Sequence, residues 1–132
     1  MASPDERTQK NHHWVSSAKH AWHGLSETFR HEGNFRREAG FALVVLACAA
    51  IFRVSRFDWF VLILAILLVF LAELWNTVIE AVVDLVVNEQ FDLRAKRIKD
   101  MSAGAVLVAA LIAVICGAYV FLPVLWRLIA AR

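Results

Sequence analysis

Fourteen apolar residues run without a Gly or Pro from Trp59 to Ala72, and then Glu73, Asn76, Glu80 and Asp84 enter the same helical pattern. A run of that length predicts a helix made for hydrocarbon rather than a strand. It belongs to an apolar segment over about 57–87, flanked by two more over about 35–54 and 101–126. The ~30 Å core of a bilayer takes about 20 helical residues, so the pattern predicts three transmembrane helices. Ahead of them Trp14, Ala18, Trp22, Leu25 and Phe29 recur at helical spacing, with Lys19, His20, His23, Glu27 and Arg30 on the other faces. This pattern predicts an amphipathic surface helix over about 12–31 that lies in the headgroup layer. A flexible polar tail is expected at 1–11 and a turn at Gly33-Asn34. The expected fold is an all-α membrane protein with one domain over 12–132, a surface helix followed by three spans.

Composition agrees with that pattern. Of 132 residues 60% are apolar, and the mean hydropathy is +0.58, more hydrocarbon than a soluble domain can cover. No apolar run sits at the extreme N-terminus, so a cleaved signal peptide is not expected. The net charge of +2, without a dense Lys/Arg patch among aromatics, argues against nucleic acid as a partner. Cys48 and Cys116 lie in apolar spans without a C-x-x-C partner and read as small packed residues. The five histidines (His12, His13, His20, His23, His31) lack a consistent ligand spacing.

Charge sets the expected orientation. Six Lys/Arg precede Ala39 and four lie in the 85–100 loop, against two in the 53–58 connection and two in the tail. With three spans the two richer regions share a side, which places the N-terminus in the cytoplasm and the C-terminus outside. In the third span Ala105, Ala109, Ala113 and Gly117 put a small residue at every fourth position. Such a stripe allows close helix approach in lipid and favours an oligomer.

The polar residues then raise a question of chemistry. At 100° per residue, Glu80 and Asp84 fall about 20° to either side of Glu73, and Asn76 falls roughly 60° away. A helix from Asp58 to about Val87 would be roughly 45 Å long, so its acidic end reaches the cytoplasmic interface. Carboxylates on one face in a membrane need a compensating cation. Three readings stay open on spacing alone. Glu73 and Glu80 pair structurally with Arg36 or Lys99; the acids mark an ion or proton path in a small non-enzymatic transporter; or they hold Mg²⁺ and a base for phosphoryl transfer to a hydroxyl in the headgroup layer. No G-x-x-x-x-G-K-[ST] or G-x-G-x-x-G loop occurs, which excludes the soluble nucleotide-binding folds.

The stretch E-L-W-N-T-V-I-E-A-V-V-D at 73–84, with H-E-G-N-F-R-R-E at 31–38 and K-D-M-S-A-G-A at 99–105, resembles the bacterial integral-membrane diacylglycerol/undecaprenol kinase family. The resemblance covers about residues 18–120. It implies an ATP-dependent lipid kinase of the bacterial inner membrane, assembled as a homotrimer with active sites at subunit contacts. It assigns Glu73 as the catalytic base toward the lipid hydroxyl, and Glu32 and Glu80 as holders of the divalent metal, Mg²⁺, on ATP. Asn76, Lys99 and Asp100 match residues lining the nucleotide and transfer site, with Lys99 on phosphate, and Arg36 and Glu38 match further neighbours of that site. Some positions depart from the common pattern. Ala21 stands where many diacylglycerol-type members have serine, His13 where they have arginine upstream, and Gln90-Phe91 where they have Tyr-His. Ala21 and Asn76-Thr77 resemble the undecaprenol branch.

Overall fold

The computed structural model describes residues 4–130, with side chains from Trp14 onward. It is entirely helical in its regular structure: α1 Pro4–His31, α2 Gly33–Ile51, α3 Arg56–Val87 and α4 Leu93–Ala130. Residues up to Gly33 form one compact unit and those from Asn34 another.

The first unit is α1. It begins at Pro4, inside the stretch expected as a tail, while residues 1–3 and the His12 and His13 side chains lie outside what is described. Trp14 and Trp22 are 70% and 73% exposed, an arrangement suited to an interfacial helix rather than to a buried one. Thr28 Oγ1 donates to the Gly24 carbonyl at 3.0 Å, and His31 Nε2 lies 3.1 Å from the Glu27 carboxylate one turn back. The chain leaves helical geometry at Glu32, one residue before the Gly33-Asn34 turn that the sequence suggests.

The second unit holds α2, α3 and α4. A reciprocal cap fixes the start of α3: Ser55 Oγ accepts from the Asp58 N–H at 3.2 Å while Asp58 Oδ2 accepts from the Ser55 N–H at 3.0 Å. Its end is set by Asn88 and Glu89 in the left-handed region (φ 48° and 57°), which closes the helix onto the Asp84 carbonyl. Asp92 then starts α4, its Oδ1 accepting the backbone N–H groups of Arg94 at 2.6 Å and Ala95 at 3.2 Å. Residues 85–100 are therefore not the loop that their charge suggests. They divide into the last turn of α3, a short reversal at 88–92 and the first two turns of α4.

α3 and α4 pack on each other along their length, whereas α2 meets them near its two ends. At one end the Phe35 and Phe70 rings lie 4.9 Å apart; at the other Ala49 is enclosed with Leu62 and Val120. Between these contacts a cavity of about 410 Å³ opens, lined by Phe41, Val45, Phe70, Ala113 and Gly117 among others. A Cβ on Gly117 would meet nothing within 4 Å, so that end of the small-residue stripe is not consumed by close contact within the chain, whereas Ala109 in the same stripe is buried.

The core is thin. Only eight apolar residues are buried among those described, while Phe60, Leu67, Ile115 and many others on α3 and α4 are more than half exposed. That is the reverse of a soluble protein, whose free energy comes from hiding such surface. Two helices, α3 and α4, are long and apolar enough to cross a membrane. α2 is shorter, 19 residues, and carries Arg36, Arg37 and Glu38 in its first turns, so it falls outside that group of two. Three spans are expected from the sequence; two helices meet the membrane criterion here.

Candidate active site

The acidic stripe occupies the second half of α3, and burial grades along it. Glu73 and Asn76 are 3% and 6% exposed, Glu80 and Asp84 are half-buried, and the turn beyond Asn88 is open. Glu73 and Asn76 are the buried polar or charged residues among those described. Helical periodicity places all four on one face; packing against the rest of the unit decides which of them are enclosed.

Asn76 Nδ2 donates to Glu80 Oε1 at 2.9 Å, across one helical turn. The bond orients Glu80 and uses up one of its oxygens. It also aims the Asn76 carbonyl oxygen into a buried position where it finds no donor among the described residues. One Glu38 oxygen, on α2, is buried in the same unpartnered way, and the charges of Glu38 and Glu73 act on each other. Leaving such an atom unsatisfied costs about 1–3 kcal/mol, so it calls for a partner such as a water, an ion or a bound ligand.

One turn further on, Lys99 Nζ reaches across the 88–92 reversal to Asp84 Oδ1 at 2.6 Å. The cation expected to compensate the stripe is thus present, and it sits on Asp84 rather than on Glu73 or Glu80. Asp100 is engaged by Lys96, 2.5 Å away, on the exposed side of α4. Arg36 and Arg37 are exposed at the start of α2, and the Arg37 guanidinium donates to Asn34 Oδ1. Glu32, next to last in the first unit, is half-buried.

The second unit therefore gathers Glu38, Glu73, Asn76, Glu80, Asp84 and Lys99 into one polar region. Sequence reasoning did not find the Asp84–Lys99 pair, because the two residues lie fifteen positions apart and meet only through the chain reversal. The Lys96–Asp100 pair at i, i+4 is a matter of helical spacing once 93–100 is helix.

The donors present are hard oxygens, from carboxylates and one amide carbonyl, which are the ligand type of Mg²⁺ and not of a thiolate-seeking metal. Among the described residues no group of three or more His, Cys, Asp or Glu converges as a closed cation site.

The chain as a whole is similar to proteins of known activity. Residues 19–121 match the family described as "Prokaryotic diacylglycerol kinase". The chain is 42% identical to the undecaprenol kinase of Bacillus subtilis (strain 168), over 93% of this chain and 98% of that one. It is 40% identical to the diacylglycerol kinase of Synechocystis sp., over 85% of this chain and 64% of that one. With the diacylglycerol kinase of Escherichia coli (strain K12) it shares 36% identity, over 76% of this chain and 82% of that one.

Proposed function

The chain belongs to the prokaryotic diacylglycerol kinase family and is a lipid kinase, and on that footing we propose how its acidic stripe works. ATP is the phosphoryl donor, and the acceptor is the hydroxyl of a membrane lipid at the cytoplasmic interface of the bacterial inner membrane. Glu73 takes the proton from that hydroxyl as the oxygen attacks the γ-phosphorus. The bond from the γ-phosphorus to the β–γ bridging oxygen breaks, and ADP leaves with the displaced charge. Glu80, its carboxylate oriented by Asn76, would be a ligand of Mg²⁺ on the nucleotide, and Glu32 would be another. The ion, when bound, neutralises charge on the phosphates. Lys99, held by Asp84, serves the transferring phosphoryl group, and Asp100, Arg36 and Glu38 line the site.

A single observation supports this division of labour most: the two buried polar side chains of the described protein, Glu73 and Asn76, are adjacent on one helix face at the end of an apolar run. A base needs shelter from water and access to lipid, and a metal-holding acid needs access to the aqueous nucleotide. The gradient from enclosed Glu73 to half-open Glu80 supplies both. A transporter would have use for the same acids, but family membership favours the kinase.

In this reading α2 is the first of three spans, the N-terminus is cytoplasmic and the C-terminus lies outside. The assembly is a homotrimer in which neighbouring chains complete each site. Support for assembly comes from the thin core, the open cavity beside α2 and the unoccupied space at Gly117. Undecaprenol is the preferred acceptor, a choice supported by Ala21, by Asn76-Thr77 and by the 42% identity with an undecaprenol kinase. The test is direct: purified protein in mixed micelles receives Mg-ATP with undecaprenol or with diacylglycerol, and lipid phosphate is measured. A higher kcat/KM for undecaprenol is expected. Equal or reversed values would overturn the choice of lipid, and product from neither would overturn the mechanism.

A further inference from the structure

At the end of α3 remote from the acidic stripe lies another cavity, of about 600 Å³ and with charged side chains on its lining, that the kinase reaction does not use. The connection between α2 and α3 and the last turns of α4 form its walls, and Arg53 and Arg127 both line it, with Tyr119 beside them. Arg53 is held by the backbone. It sits in the left-handed region at φ 50°, and its N–H closes on the Ala50 carbonyl at 3.2 Å. Pro123, also on the lining, has no N–H to give to the Tyr119 carbonyl one turn earlier.

The charge in this cavity is not balanced. Its acid, Asp58, is committed to the start of α3, where Oδ2 accepts from both the N–H (3.0 Å) and the Oγ (2.7 Å) of Ser55. Among the described residues neither Arg53 nor Arg127 has a carboxylate within ion-pair distance. Two guanidiniums therefore face one space whose remaining walls, such as Val120 and Val124, are apolar. A guanidinium fork matches the oxygens of a phosphate, and apolar walls beside it match an acyl chain.

Depth identifies the source of that phosphate. Asp58 and Glu80 lie at the two ends of one helix, roughly 33 Å apart at 1.5 Å per residue, about the thickness of the hydrocarbon core. With the acidic stripe in one headgroup layer, Arg53 and Arg127 fall in the other. We propose that this cavity binds the phosphate headgroup of an anionic phospholipid from the leaflet opposite the active site. The proposal rests on the membrane insertion described above and not on the catalytic chemistry.

Thermal unfolding of the full-length protein in detergent tests it, with phosphatidylglycerol, phosphatidylcholine or inorganic phosphate added in parallel. A ligand of the native state raises the midpoint. Phosphatidylglycerol is expected to raise it by several degrees and the other two to leave it unchanged. The Arg53→Gln/Arg127→Gln variant is expected to lose that shift while keeping its lipid kinase activity. Should the double variant fail to fold, Arg127→Gln alone, at an exposed position, is expected to show a reduced shift. An equal shift in the variants, or none in the wild type, overturns the proposal, and a full shift with inorganic phosphate overturns the lipid as its source. Absence of kinase activity in the wild type, with the shift intact, would count against the catalytic reading alone.

Discussion

Asn76 gives its amide to Glu80 at 2.9 Å and keeps its own carbonyl oxygen buried and unpartnered, so one side chain positions an acid and presents a second oxygen beside it. This predicts that Asn76→Asp is far more harmful than its size suggests, since it replaces a donor by a charge that repels Glu80. Removing a group that orients a metal-holding acid commonly costs 10–100-fold in metal affinity. The apparent Mg²⁺ requirement of Asn76→Asp should rise by at least about tenfold in a steady-state titration. An unchanged titration would show that Glu80 does not depend on Asn76.

Glu73→Gln keeps the shape of the side chain and removes its ability to take a proton. General-base catalysis contributes roughly 10²–10⁴-fold, and a loss of kcat in that range is expected with the thermal midpoint close to the wild-type value. Activity near wild type in the folded variant would assign the base elsewhere, with Glu38 the first candidate because its charge and that of Glu73 act on each other.

The Asp84–Lys99 pair separates structure from chemistry. Both side chains are about a third or more exposed, so the pair contributes about 1 kcal/mol or less to stability. Asp84→Asn should therefore barely alter unfolding while raising the KM for ATP, because Lys99 is no longer held in place. Lys99→Ala should cost more activity than Asp84→Asn. The order of the two effects, read from kinetics on matched preparations, is the check; equal and small effects would remove Lys99 from the transfer site.

How much of this was legible beforehand follows from which interactions are local. The shared face of Glu73, Asn76, Glu80 and Asp84 is a matter of helical period and needs nothing else. Which of them are buried depends on how α3 meets its neighbours, and no spacing rule carries that information. Asp84 and Lys99 meet only because the chain reverses at 88–92, a non-local event. The start of α4 is local, yet two signals compete there. Asp92 ahead of Leu-Arg-Ala-Lys-Arg is an N-cap signal, but the density of positive charge over 94–99 suggests a loop. α2 shows the opposite problem: its apolar stretch suggests a span, and the charges at its start shorten the part that qualifies.

Asp92 also yields a pH test. Hydrogen bonds from the Arg94 side chain and from the Arg94 and Ala95 backbone hold its carboxyl below the ordinary aspartate value. A group depressed in the folded state contributes stability above its unfolded pKa and loses it as pH falls through the folded one. Asp92→Ala should lower the thermal midpoint at neutral pH. The gap from wild type should narrow only as the pH drops below about 4. A gap that persists unchanged at pH values well below 4 would mean that the carboxylate charge is not what starts α4.

The thin core has a practical reach. With so little of its apolar surface enclosed by its own chain, this protein has no unfolding free energy that belongs to it alone. The surroundings that cover α3 and α4 enter the equilibrium as reactants, so detergent mole fraction and protein concentration act on the folded population as a ligand would. Titrating either one while the temperature is held fixed should move the protein between its active and inactive forms, and two laboratories using different micelles would be measuring two different molecules.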